Sequence, residues 1–349
     1  MRIGIFTKMD MPGGSKFRAV ELANAVNRLA GCQGVLLVEK RMPDKLRAAV
    51  AEGVEIHPEV FANGSVEQFH TLDRLLVINS DSRDFTKESY WLGQTEKHSS
   101  AVDLSRIRNM TFLFNYIVSP ACQLPALQKS VADLRLIVTN TKFFEEISKQ
   151  DRYLPVRHYP RLRLESPIGP ATGQLKTPSA RVRFGMHSLP NGSKWNEELP
   201  ELVRHVNEQM GDRVAWDFMG IPDSLRQSLA GPNITCRPAF SLPVPDYLQG
   251  IDVFLFFLGW KREEAWARSA AEALMSGCPV ITTNRGGNRD KVIHGNTGFL
   301  GRTLDEMTEA CIRLATEAGL RTAMGRNAKA FARSFSSANV AGRLVEFLQ

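Results

Sequence analysis

The residues best equipped for chemistry in this 349-residue chain are concentrated in one stretch, Lys261-Arg-Glu-Glu-Ala-Trp-Ala-Arg-Ser-Ala-Ala-Glu-Ala-Leu-Met-Ser-Gly-Cys-Pro-Val-Ile-Thr-Thr-Asn-Arg-Gly-Gly287. Glu264 and Glu272 stand eight residues apart. A helix over 264–275 puts Glu264 at its start and Glu272 two turns inside, on nearly the same face. The amides of Ala265, Trp266, Ala267 and Arg268 then emerge from the helix N-terminus without helical partners, and amides and dipole together suit a phosphate. An ordinary amphipathic helix with solvated carboxylates would show the same pair. The strand-like Val-Ile-Thr-Thr and the Arg285-Gly286-Gly287 turn that follow favour a ligand site, because a Gly-Gly turn lets backbone come close to a bound molecule.

Short apolar or β-branched runs alternate with amphipathic stretches on both sides of this segment, the pattern of βα units and parallel sheets. Strands are expected at Arg2–Phe6, Val35–Val38, Leu75–Ile78, Thr111–Asn115 and Leu134–Thr139, with helices at Phe17–Leu29, Lys45–Ala51 and Phe143–Lys149. From Tyr153 to Ala180 the period lapses into Pro, Gly, Ser and Thr, as a linker would. Strands resume at Arg181–Gly185, Val214–Met219, Ile234–Arg237, Val253–Phe257 and Val280–Thr283. Helices are expected at Trp195–Gln209, Ser224–Ala230, Val244–Gln249, Glu264–Met275, Leu304–Glu317 and Leu320–Gln349, the last broken near Ser334–Ser337. The organisation is an α/β N-terminal domain over 1–160, a linker over 161–180, a second α/β domain over 181–330, and a C-terminal helix over 331–349 packing back on the first domain. In open α/β sheets ligands bind beyond the carboxyl ends of the strands, so two facing domains would place the site in a cleft between them.

Composition narrows the class. With 43% hydrophobic and 23% charged residues, the chain has enough apolar material for two cores and is not disordered. No apolar run approaches the ~18 residues of a membrane span. Five scattered cysteines without a CxxC pair fit a reduced, cytoplasmic protein. The net charge of +7 is spread evenly, +4 over residues 1–165 and +3 over the remainder. It favours anionic partners without choosing among phosphates, nucleic acid and an acidic membrane surface.

The Glu264–Glu272 spacing, followed by EALMSGCPVITTNRGG and HGNTGFL, resembles the retaining nucleotide-sugar glycosyltransferases of family 4. MPGGSKFRAVELANAV is similar to that family's Gly-Gly loop and first helix, and FMGIPDSLRQSLAG, NITCRP and YLQGIDVFLFF follow its order of elements. The resemblance is strongest from Arg181 to Leu300. It implies the GT-B fold: two Rossmann-like doubly wound domains facing across a cleft, the first binding acceptor and the second binding the nucleotide-diphosphate sugar. Carried over, Glu264 would bind hydroxyls of the transferred sugar and Glu272 the ribose. Gly13 and Gly14 would approach the diphosphate, and Lys194 would neutralise the leaving phosphate. The base would lie near Cys236-Arg237-Pro238. Charge grows on that phosphate as the glycosidic bond breaks, so a cation and preorganised amides there act on the transition state. The chain has no Asp-x-Asp triplet, and metal-independent transfer without any cofactor is expected.

The family's arginine five residues before the lysine is missing. His187, Ser188, Arg183, Arg262 and Arg285 are the residues that could replace it. Ala265-Trp266-Ala267 stands where Gly-Phe-Gly is usual; Trp266 could narrow the sugar pocket or pack in the core. On the acceptor side, Asn79 and Asp81 end one expected strand, and Asn115 and Tyr116 another. They could contact a ligand or simply form turns. The remaining histidines have no metal-like spacing. The implied acceptor is a growing surface glycan, lipopolysaccharide or lipid-linked sugar at the inner face of the membrane, with peripheral membrane association. Two alternatives stand beside it: transfer to a modified DNA base, motivated by the +7 charge, and a non-catalytic GT-B subunit supporting a partner, motivated by the missing arginine.

Overall fold

The computed structural model describes residues 1–7, 14–38, 41–60, 65–79, 107, 109–114, 131–169, 176 and 180–349. They divide into two compact units, Met1–Gly169 with Phe335–Gln349, and Pro170–Ser334.

The first unit is built on strands β1 (Arg2–Thr7), β2 (Gln33–Val38), β3 (Glu55–His57), β4 (Arg74–Asn79), β5 (Asn109–Phe114), β6 (Asp133–Val138) and β7 (Arg161–Arg163), paired in parallel in the order β3-β2-β1-β4-β5-β6-β7. Helices α1 (Gly14–Asn27), α2 (Asp44–Arg47) and α3 (Thr141–Lys149) intervene. Successive side chains of a strand point to opposite faces, and here both faces are covered. Ile3, Ile5, Leu36, Val38, Leu76 and Ile78 pack with α1 through Ala19, Val20, Ala23 and Val26. Their neighbours Phe6, Val35, Leu37, Leu75 and Val77 pack on the other side with Phe69, Ile147 and Tyr153. A parallel sheet buried on both faces is why these strands read as continuous apolar runs.

The second unit repeats the plan with β8 (Val182–His187), β9 (Val214–Met219), β10 (Ile234–Arg237), β11 (Val253–Phe256), β12 (Val280–Thr283) and β13 (Gly298–Gly301), all parallel in the order β10-β9-β8-β11-β12-β13. Its helices are α4 (Leu199–Met210), α5 (Asp223–Arg226), α6 (Val244–Gln249), α7 (Arg268–Met275), α8 (Leu304–Thr316) and α9 (Ala318–Ala332). The buried residues of α4, Leu199, Leu202, Val203, Val206 and Met210, follow the i, i+3, i+4, i+7 spacing of one helical face. Strand order reverses between β8 and β11, and that switch point opens a crevice at the carboxyl ends of the two strands.

Helix α10 (Ser337–Leu348) belongs to the first unit and packs on α1, burying Val340, Ala341, Leu344, Val345 and Leu348. Arg343 reaches Glu165 and the Arg163 carbonyl, and Arg135 donates to the carbonyl of Phe347.

Four differences from the sequence expectation stand out. Strands β3, β7 and β13 were not expected; each is three or four residues long and sits at a sheet edge. Strand β7 lies inside the segment expected as linker, where its backbone pairs with β6 and Ile168 pairs with Ser336. The helix expected from Glu264 begins at Arg268, with Ala267 as its N-cap. The helix expected from Trp195 begins at Leu199, after a 3-10 turn at Gly192–Lys194.

Candidate active site

Two loops leave the switch point of the second sheet. The first follows β8 and is fastened at both ends. The Trp195 indole is buried and donates to the Leu189 carbonyl at 3.0 Å, while Asn196 donates its amide to the Leu258 carbonyl and its backbone N–H to Phe257, each at 3.0 Å. Between these anchors Asn191 accepts from the Ser193 amide at 3.0 Å and caps the turn that carries Lys194. The second loop follows β11. Arg262 closes a turn onto the Gly259 carbonyl at 2.8 Å, and the Glu264 carbonyl accepts from the Gly287 amide at 2.7 Å.

These anchors bring Lys194 and Glu264 together across 70 residues of sequence. Glu264 is only 7% exposed. Its Oε1 accepts from the Lys194 ammonium and, at 3.2 Å, from Arg262 Nε, and Arg262 Nη1 donates to Ser193 Oγ at 2.9 Å. One carboxylate thus holds two cations. Of the residues that could replace the missing arginine, Arg262 shares the Glu264 carboxylate with Lys194. Arg183 lies near the start of β8 and donates to the Gly250 carbonyl at 3.0 Å. Four residues of strand, roughly 13 Å, separate it from His187 at the carboxyl end. Arg285 is exposed at the turn after β12.

Glu272 sits inside α7, its Oε1 accepting from Arg268 Nε at 2.7 Å and its Oε2 lying 3.7 Å from His187 Nε2. The second distance is too long for a hydrogen bond, and His187 Nε2 is buried with no hydrogen-bond partner. The His187 ring is packed edge-on against Tyr247 and Phe254, with centroids 5.7 and 5.4 Å away. Burial, followed by the nearby Arg268 charge, pushes its pKa down to about 4. The imidazole is therefore neutral near pH 7 and supplies no charge in place of the missing arginine. Burial also raises the Tyr247 phenol well above its ordinary value, with the Asp217 charge adding to it. It reaches the Met186 carbonyl at 3.1 Å and the Asp217 carbonyl.

The N-terminus of α7 breaks the usual rules of helix stability. Its N-cap is Ala267, no side chain caps it, and a cation, Arg268, occupies the first turn at the positive end of the dipole. The positive end of the helix dipole favours an anion.

Arg237 grips Asp217 through Nε at 2.9 Å and Nη2 at 3.0 Å, joining the carboxyl halves of β10 and β9. Asp217, the one charged residue in the fully buried VAWDFM strand, was not singled out from sequence, although a carboxylate in an apolar run is itself a signal. Ser193 was also missed, and nothing in its local sequence marks it. Trp266 is buried, with Lys291 Nζ 4.8 Å from its ring centroid. Ala265 and Ala267 are buried beside it. The glycines after β12 are used by the chain itself. A Cβ at Gly287 would sit 2.3 Å from the Ala265 carbonyl oxygen, and one at Gly286, where φ is +50°, would sit 2.8 Å from that of Glu264.

In the first unit, Gly14 opens α1 and Asn79 ends β4. Gly13, Asp81, Asn115 and Tyr116 lie outside the described residues. A separate cavity of about 470 Å³, bordered by His294, Phe299, Arg302, Glu306 and Arg313, contains none of the residues singled out from sequence.

Residues 231–331, which carry α7 and both glutamates, match the family model described as Glycosyl transferases group 1. No curated protein sequence matches the chain. Among solved structures, Anabaena HepE in complex with UDP and glucose superposes with a TM-score of 0.72 at 14% identity, covering 100% of this chain and 99% of that one. A glycosyltransferase from Rickettsia africae gives 0.72 at 12% identity over 99% and 97% of the two chains. WaaG, a glycosyltransferase involved in lipopolysaccharide biosynthesis, gives 0.65 at 13% over 100% of each. The fold is GT-B. Identities this low speak for architecture alone.

Proposed function

We propose that this protein is a metal-independent, retaining glycosyltransferase of family 4, which moves a sugar from a nucleotide-diphosphate donor to an acceptor hydroxyl. The observation that carries the reading is the meeting of Lys194 and Arg262 on Glu264, at the carboxyl ends of β8 and β11. Both cations lie where an α/β sheet binds its ligand. Together they can neutralise a diphosphate, and Glu264 beside them can accept from sugar hydroxyls. Glu272 takes the ribose, and the N-terminal end of α7, with its dipole, faces phosphate oxygens.

When the bond between the anomeric carbon and the β-phosphate oxygen lengthens, negative charge moves onto the phosphate. Lys194 and Arg262, carried on anchored loops and seated on the bound diphosphate, stabilise this charge as it grows. Retention follows a front-face course: the departing phosphate oxygen takes the acceptor hydroxyl proton, and the acceptor attacks from the side it has left. The acceptor is a surface glycan, lipopolysaccharide or other glycoconjugate, met in the cytoplasm or at the inner membrane face. No helix among the described residues is long and apolar enough to cross a membrane. UDP-sugars are the first donors to try, since HepE binds UDP-glucose and pneumococcal GtfA binds UDP and GlcNAc.

Lys194→Ala and Glu264→Ala are each expected to lower the rate of sugar transfer by 10²-fold or more, the scale of losing one preorganised charge-stabilising group, while circular dichroism stays unchanged. Chelators are expected to have no effect. Full activity in either variant would overturn the assignment.

A further inference from the structure

The cluster at Glu264 is unbalanced: one carboxylate against two cations. It is also layered. The Glu264 side chain retains 9% of its surface, whereas Lys194 retains 26% and Arg262 31%. An anion arriving from solvent therefore meets the cations before the carboxylate. Both cations contact the same oxygen, Oε1. Arg262 is tied through Ser193 Oγ to the turn bearing Lys194, so the two behave as a pair. The donors that hold Glu264 are the ones a phosphate would use, and charge-assisted bonds of this kind are the strong ones.

We propose that Glu264 is the resting counter-ion of the Lys194–Arg262 pair and competes with the donor's diphosphate for it, so that donor binding shifts the cations onto phosphate and frees the carboxylate for the sugar. This rests on the donor-site reading above. Before donor arrives, the carboxylate keeps the two cations fixed and partly neutralised. Once they move to the diphosphate, Glu264 has an unsatisfied oxygen in a nearly dry setting, which a sugar hydroxyl can satisfy. Nucleotide affinity is thereby held down, and the carboxylate becomes available only when a diphosphate is in place.

Removing the carboxylate charge is therefore expected to strengthen nucleotide binding while it destroys transfer. Titration calorimetry of the wild type, Glu264→Gln and Arg262→Gln with UDP, GDP and the matching monophosphates tests it. Glu264→Gln is expected to bind the diphosphate about tenfold more tightly, with its affinity for the monophosphate within twofold of wild type and turnover lost. Arg262→Gln is expected to bind the diphosphate about tenfold more weakly. A Glu264→Gln protein that folds and binds the diphosphate no better than wild type overturns the proposal. Should that variant fail to fold, Glu264→Asp decides: its shorter side chain grips the cations less closely, so tighter diphosphate binding supports the proposal and unchanged binding overturns it. Wild-type protein that binds neither UDP nor GDP overturns the donor-site reading itself, an outcome distinct from either variant result.

Discussion

His187 ends β8 with its ring between Tyr247 and Phe254 and its Nε2 unbonded, 3.7 Å from Glu272. Its pKa is about 4 in the fold because burial, and then Arg268, disfavour the charged form. In the unfolded chain an imidazole titrates near 6.5. Between those values the unfolded chain holds a proton that the folded chain lacks, so the stabilisation is complete above pH ~6.5 and is lost as pH falls toward 4. At full strength the loss approaches about 3 kcal/mol. Urea midpoints measured from pH 7.5 to 4.5 are expected to fall for the wild type, and His187→Phe should flatten that slope; an unchanged slope would contradict the account. The site was only partly legible at this scale. Glu264 and Glu272 could be named as candidates from type and spacing, and Lys194 from the family resemblance. Which arginine joins Lys194 could not, because Arg183, Arg262 and Arg285 differ in where the fold puts them rather than in chemistry.

At the scale of elements, the feature that matters most is the start of α7. The periodicity predicts a helix from Glu264, yet residues 264–267 form an irregular loop pressed against the Gly286–Gly287 turn. Helical backbone would pull the Glu264 carbonyl inward to a helix partner; here it accepts from the Gly287 amide instead. Gly287→Ala should force that contact apart, since its Cβ would lie 2.3 Å from the Ala265 oxygen. A cost of about 1–3 kcal/mol is typical of such overpacking. The expected readouts are a lower melting temperature and, because Glu264 rides on the loop, a loss of transfer larger than the loss of stability explains. Wild-type melting and activity in this variant would refute the role given to the turn. The missed strands β3, β7 and β13 have a different cause. Runs such as RLR and GFLG are too short to display a period, and only the neighbouring strand makes them strands.

For the molecule as a whole, the C-terminal segment completes the first unit rather than the second. Helix α10 buries Val340, Leu344, Val345 and Leu348 against the α1 side of the first sheet, and Arg343 pairs with Glu165, which is 4% exposed. Each buried aliphatic side chain contributes about 1.5–3 kcal/mol, so their sum is comparable with the whole stability of a domain, about 5–15 kcal/mol. Truncation after Ser336 is therefore expected to unfold the first unit and leave the second folded. Limited proteolysis should then yield a resistant fragment spanning roughly the second unit, and a truncated chain with full resistance throughout would refute this. The +7 charge, evenly distributed along the chain, acquires a local meaning only where Lys194 and Arg262 share one carboxylate.

The architecture and a list of candidate residues could be read from the amino-acid sequence. A parallel sheet covered on both faces must be written as apolar runs alternating with amphipathic helices, and that pattern is local enough to read. Their arrangement emerges only on folding: Arg262 shares a carboxylate with Lys194, Arg183 lies far along its strand, His187 is buried and neutral, and α7 starts four residues later than its periodicity suggests. The physical reason is that these outcomes depend on where strand ends and loop anchors fall around the reversal between β8 and β11. Register and packing set those positions through residues as much as 70 apart in the chain, beyond the reach of any local pattern.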